Sequence, residues 1–193
     1  IWEALQAANT YTSTLFTYLF EDPFDSLDAV RAVIAKKVAD PNTRTYAILK
    51  HDISGHHKAV GMASLMRMDL PHKVIEVGSI LYTPSLQRTP AATEAMYLLA
   101  TYVFETLGMR RYEWKCHSKN APSRRAAARY GFTYEGIFRQ HMILKGQSRD
   151  TAWFAMIDED WPALKAGFER WLAPDNFDAN WRQFKTLEQC REV

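Results

Sequence analysis

The passage from residue 74 to residue 108 constrains this chain most. Val74, Ile75, Glu76, Val77, Gly78, Ser79, Ile80 and Leu81 make an alternating run that predicts a strand over residues 74–82. Further on, Ala95, Met96, Leu98, Leu99, Tyr102, Val103 and Leu107 recur at helical spacing and predict an amphipathic helix. Thr89-Pro90 has the N-cap and N1 chemistry of that helix's start, and Gly108 suits its end. A strand that feeds a helix mouth leaves unpaired amides and the positive end of the helix dipole facing one spot, which makes a natural anion site. Thr-Pro is also an ordinary helix start, so residues 82–94 need a second motif before they imply chemistry.

Composition narrows the function classes. A chain of 193 residues suits one domain with a sizeable core, and 47% hydrophobic with 13% aromatic residues predicts folding rather than disorder. The formal charge of +2, with no basic run longer than Arg124-Arg125, gives no support to nucleic acid as a partner. Cys116 and Cys190 form no disulfide framework and fit a reducing, cytoplasmic setting. No apolar run approaches the ~18 residues of a membrane span, and no secretory signal is evident, so no membrane partner is expected. The first residue is Ile1 rather than methionine, which leaves the upstream sequence open.

The remaining elements follow in order. Residues 1–9 predict a short helix with Trp2 and Leu5 on one face. The aromatic segment 11–24 reads either as a loop with a helical turn packed on the core or as an aromatic wall beside a substrate. Ser26 caps a helix through Ala39, ended by Asp40-Pro41-Asn42. Strands are expected at 44–50, 58–68 and 74–82, the first two joined by a hairpin around Gly55, then at 110–117. A helix at 120–130 precedes a hairpin of strands 132–144 and 148–157 turning about Lys145-Gly146-Gln147. Residues 161–172 and 176–187 predict helices whose Trp161, Trp171 and Trp181 dock on the sheet or on another subunit, as in a homodimer. The expected organisation is one α/β domain over 1–158 with a helical extension over 159–193.

Several chemistries find no support. The glycines compose neither a dinucleotide fingerprint nor a phosphate-binding P-loop, and no nucleophile elbow is present. His51, His56 and His57 lack a cysteine or carboxylate at metal-ligand spacing and read as solvated loop residues, so no metal is expected.

The second motif is Asn120-Ala121-Pro122-Ser123 followed by Gly131-Phe132. With Gln87-Arg88-Thr89-Pro90-Ala91-Ala92-Thr93, it resembles the GCN5-related N-acetyltransferase (GNAT) superfamily over about residues 44–157. The nearest resemblance is to the ribosomal-protein-alanine acetyltransferase-like (RimJ/RimL-like) branch. The family's phosphate loop reads Q/R-x-x-G-x-G/A; Gln87 and Ala92 fit its ends, but Pro90 replaces the central glycine. Proline at N1 gives up an amide with no helical partner, so the amides of Ala91, Ala92 and Thr93 remain, with Arg88 and Thr89 beside them.

The resemblance implies a central, mostly antiparallel mixed sheet with splayed central strands, flanked by helices. It implies acetyl transfer from acetyl-CoA to a primary amine, a protein N-terminus or a small molecule, by direct attack with general-base help. The alternative is a catalytically silent CoA-binding sensor or scaffold. The diphosphate is expected at Gln87, Arg88, Thr89, Ala91, Ala92 and Thr93, and the pantetheine arm along Ile80, Leu81 and Tyr82 and at Asn120. Arg124, Arg125 and Arg129 are candidates for the 3′-phosphate, or else simply solvated. The candidate base is Glu76, or a salt-bridged strand residue in its other reading, with His141 as runner-up. Ser123 is the expected proton donor to sulfur, ahead of Tyr130, and a backbone amide near Ile80 or Leu81 is expected to hold the oxyanion. Cys116 reads as a core residue. Family members begin with a strand before the first helix, and none is evident before Trp2.

Overall fold

The computed structural model describes residues 1–7, 13–51 and 55–192. The end of the expected first helix, Tyr11 and the tip of the first hairpin lie outside these residues. Among the described residues six strands form one mixed sheet in the order β1-β2-β3-β4-β6-β5. They are β1 (Thr43–His51), β2 (His57–Asp69), β3 (Val74–Tyr82), β4 (Arg111–His117), β5 (Thr133–Leu144) and β6 (Gln147–Ile157). All neighbours are antiparallel except β3 and β4, the pair that the long helix connects. A parallel pair needs such a crossover because its strands start at the same end.

Among the described residues five α-helices flank the sheet: α1 (Trp2–Gln6), α2 (Leu27–Ala39), α3 (Pro90–Thr101), α4 (Ala121–Tyr130) and α5 (Trp161–Leu172). The caps read from the sequence are in place. Ser26 Oγ accepts from the Ala29 amide at 3.1 Å, Thr89 Oγ1 from Ala92 at 3.3 Å and Asn120 Oδ1 from Ser123 at 3.1 Å. Gly131 closes α4 at φ 97°, and a Cβ there would lie 2.5 Å from Leu164 of α5. The main core packs α3, α4 and α5 on the face carrying Tyr112, Trp114 and Cys116, with Ala152, Phe154 and Met156 beside them. A second cluster, with Leu5, Phe16, Phe24, Val30, Met62 and Leu81, fills the opposite face under α1 and α2.

The expected helix over 176–187 does not form. The chain makes only a short 3₁₀ turn (Pro174–Asn176) and then runs irregularly. Side chains win these backbone groups from a helix. Asn176 is buried, donating to the carbonyls of Trp171 (3.0 Å) and Lys185 (3.2 Å) and accepting from the Lys185 amide (2.9 Å). Asp178 Oδ1 accepts from the amides of Asn180 and Arg182. Trp161 and Trp171 dock in the core as expected, while Trp181 is 71% exposed.

Candidate active site

The site begins where the sheet comes apart. β3 and β4 pair only over Val74–Val77 and Arg111–Trp114, so Gly78–Tyr82 and Lys115–His117 diverge. The backbone adds to the divergence. In β3, Ser79 and Ile80 lie opposite the single residue Ala63 of β2, and Ser79 holds φ 49°. A bulge of this kind bends and twists the strand that carries it. Similar irregularities lie at Arg67 in β2 and Gln140 in β5, both at φ 49°. Each left-handed non-glycine residue costs about 1–2 kcal/mol. A cleft of 1480 Å³ opens between the strands and runs from the mouth of α3 through the sheet to the side of Tyr18, Phe20 and His141.

At one end stands the α3 mouth. Gln87, Arg88, Thr89, Ala92 and Thr93 line the cleft. The amides of Leu86, Gln87, Thr89 and Ala92 are used within the turn, whereas those of Ala91 and Thr93 find no acceptor among the described residues. Gln87 Nε2 donates to the Tyr82 carbonyl at 2.9 Å, so this side chain shapes the loop. Arg88 sits at φ 60°, where a glycine would be unstrained. Ala91 does not line the cleft. Neither does Leu81, whose side chain faces the α1–α2 cluster; its neighbours Ile80 and Tyr82 do line it. Burial pushes the Tyr82 phenol well up, so it is neutral, and its hydroxyl donates to the Ala92 carbonyl at 3.3 Å.

The Asn120–Ser123 motif borders the middle of the cleft. Ser123 Oγ accepts from Trp114 Nε1 at 3.0 Å, which leaves its own proton to donate. Cys116 is buried in the core, and burial pushes its thiol up while contact with Ser123 opposes that. A thiol so placed is a poor nucleophile. Tyr130 also borders the cleft, and burial raises its phenol. Of the α4 arginines, Arg125 and Arg129 line the cleft. Arg129 donates to Thr93 Oγ1 at 3.0 Å and stands 4.9 Å over the Trp171 ring; Arg124 donates to the Ser118 carbonyl instead.

Across the sheet, Glu76 is 3% exposed and doubly engaged. Arg67 Nη1 donates to its Oε1 at 2.6 Å, and Lys115 Nζ lies 2.9 Å from Oε2, in ion-pair contact although outside good hydrogen-bond geometry. Lys115 also pairs with Glu113 at 2.7 Å and lies 3.9 Å from the Trp153 ring centroid. The salt-bridged reading of Glu76 therefore holds, while the residue also borders the cleft. His141 faces the same space, its Nδ1 3.0 Å from Thr151 Oγ1.

Arg67, Lys115, His117, Arg149, Trp153 and Arg182 escaped the sequence reading, and Trp181 reads there only as a docking residue, yet all line the cleft. Strand alternation puts Lys115 and His117 on the face opposite Trp114, which is the only signal the sequence held for them. Burial, followed by the Arg149 charge, holds the His117 imidazole below its usual range, so it is neutral at pH 7; its Nδ1 accepts from the Lys119 amide at 3.1 Å. The two readings of residues 11–24 divide between side chains: Phe16 and Phe24 are core, while Tyr18 and Phe20 wall the cleft. Among the described residues no group of three or more His, Cys, Asp or Glu could hold a metal, and no helix is long and apolar enough to cross a membrane.

The residues present fit a coenzyme with a diphosphate and a peptide-like arm. The α3 mouth offers free amides and a cation, and the Gly78–Tyr82 edge has no strand partner on its β4 side. Comparison with known proteins agrees with this geometry. In sequence, the chain is 28% identical over 105 residues to YdaF of Bacillus subtilis (strain 168), provisionally named a ribosomal N-acetyltransferase. That match spans 54% of this chain and 57% of YdaF. A GCN5-related N-acetyltransferase from Brucella melitensis is 46% identical, with a TM-score of 0.90 over 99% of this chain and 86% of its own. A spermidine N-acetyltransferase from Vibrio cholerae, solved with CoA and spermine, has a TM-score of 0.61 over 83% of this chain and 93% of its own; at 18% identity this is a likeness of fold alone. Residues 3–133 match the acetyltransferase (GNAT) domain, and with the splayed strands and helix mouth already in view, the chain belongs to that family.

Proposed function

We propose that the chain transfers an acetyl group from acetyl-CoA to a primary amine. The observation that carries this reading is the single cleft joining the α3 mouth to the acceptor side through the gap between β3 and β4. In this reading the amide of Thr93, with Arg88, holds the diphosphate. The backbone of Gly78–Tyr82 pairs with the pantetheine amides, and Arg125 lies within the same cleft for the 3′-phosphate. Trp181 and Arg182 extend that end, offering an exposed ring for stacking and a further cation. When bound, acetyl-CoA supplies the acetyl group activated as a thioester.

The chain's own residues manage the protons. An attacking amine must be neutral and must lose a proton as its nitrogen acquires the acetyl carbon. His141 is better placed to take it than Glu76, both of whose oxygens already face cations. With Nδ1–H donated to Thr151, His141 keeps a lone pair at Nε2. Ser123, its oxygen occupied by the Trp114 donor, gives its proton to the departing sulfur. The ribosomal-protein branch, a cytoplasmic setting and a homodimer remain parts of the proposal to be read from substrate profile and solution mass.

The test is thiol release from acetyl-CoA across a panel of primary amines, with coenzyme binding measured by calorimetry. Amine-dependent release supports the reading. Binding without release on any amine favours the sensor alternative, and no binding of acetyl-CoA removes both.

A further inference from the structure

We infer that the amine acceptor carries a carboxylate, held by the guanidinium of Arg149; this rests on the acetyl-transfer reading of the same cleft. Arg149 lies on β6 opposite Met142, is 5% exposed and lines the cleft. Its Nε has no hydrogen-bond partner, and the guanidinium makes no ion pair with any described residue. Its Cζ lies 5.4 Å from the centroid of the Phe20 ring.

Five cations of the sheet and the facing wall each meet a carboxylate. Arg67 pairs with Glu76, Lys115 with Glu76 and Glu113, and Arg111 with Glu113 and Glu135. On the other wall Lys37 pairs with Glu21 at 2.7 Å, and Lys145 with Asp22 at 2.8 Å. The cluster on the sheet thus sets four cations (Arg67, Arg111, Lys115, Arg149) against three carboxylates (Glu76, Glu113, Glu135), and of these four Arg149 alone has no carboxylate partner among the described residues. An unpaired buried charge is costly to fold around, and a guanidinium so placed is built to receive a planar, bidentate anion. Burial accordingly weakens the guanidinium's hold on its proton, which a bound carboxylate would restore. Arg149 stands within electrostatic range of Glu76, Arg67 and His117, on the acceptor side and away from the α3 mouth. The same pairing disfavours a polyamine, because Glu21 and Glu76, the carboxylates that line the cleft, already face cations.

The acceptors that decide the matter are L-alanine and L-methionine, each with its carboxamide, a glutamate-containing dipeptide amide, and spermidine. The carboxylate of the free amino acids lies beside the amine and that of the dipeptide on its second side chain, so the best substrate tells the two sources apart. We expect kcat/KM for an acid to exceed that of its neutral counterpart by about tenfold or more. Arg149→Gln should bring that ratio close to one, Arg149→Lys should keep part of it, and acetyl-CoA affinity should hold in both. Equal rates on acids and amides, spermidine as best acceptor, or an Arg149→Gln loss shared by all acceptors or by acetyl-CoA binding would overturn the proposal. If no acceptor is turned over although acetyl-CoA binds, the transfer reading fails by itself. Calorimetric titration of the same acids into CoA-saturated protein then decides: heat from acids alone, lost in Arg149→Gln, keeps the carboxylate site, and no heat removes it.

Discussion

Glu76 and His141 compete for one role, and their contacts separate them. Glu76 holds Arg67 and Lys115 together, so Glu76→Gln leaves Lys115 with Glu113 alone and Arg67 without its 2.6 Å partner. We expect that substitution to lower the unfolding free energy by about 1–3 kcal/mol in chemical denaturation. His141→Gln should leave stability and acetyl-CoA affinity in place and lower kcat on the order of a hundredfold. A Glu76→Gln enzyme that keeps its stability but loses its rate would return the base role to Glu76. Sequence showed both residues but not this division: Arg67 and Lys115 reach Glu76 from neighbouring strands, and register across strands is invisible to a linear pattern.

Among the elements, those bounded by local chemistry were legible in the sequence. The caps at Ser26, Thr89 and Asn120 and the Gly131 stop fix their helices because the competing hydrogen bonds are made within a few residues. Gly131→Ala should destabilise by about 2 kcal/mol, since a Cβ is strained at φ 97° and also meets Leu164; thermal unfolding reads it. The segment after α5 was misread because helical spacing of Trp181 and its neighbours says nothing of Asn176, whose side chain bonds across the loop. That loop sets Trp181 and Arg182 against the cleft, at the end proposed for the coenzyme. Trp181→Ala is expected to raise KM for acetyl-CoA roughly fivefold or more by loss of stacking, with kcat little changed in steady-state assays. The bulges at Arg67, Ser79 and Gln140 were equally hidden, since none carries the glycine that marks such a bend.

At the scale of the molecule, the chain of ion pairs from Arg67 to Glu135 ties β2, β3, β4 and β5 together across the opened sheet. Arg111 grips Glu135 at 2.8 and 2.5 Å, and this contact holds the Glu135 carboxyl below its ordinary value of 4.5. A lowered folded-state value means that the unfolded chain takes up the proton first. Its stabilisation is therefore present above about pH 4.5 and is lost as pH falls through the lower folded value. Glu135→Gln should flatten the acid limb of stability against pH, read by denaturant midpoints from pH 6 down to about pH 3. The sequence alone determined the strands, the capped helices α2, α3 and α4, and the α3 and α4 mouths, because hydrophobic period and capping act over a few neighbouring residues. Only the tertiary structure decided which charges meet. The parting of β3 from β4 and the three bulges bring Arg67, Lys115, His141 and Arg149 to one cleft from four strands, and no local rule relates residues so far apart in the chain.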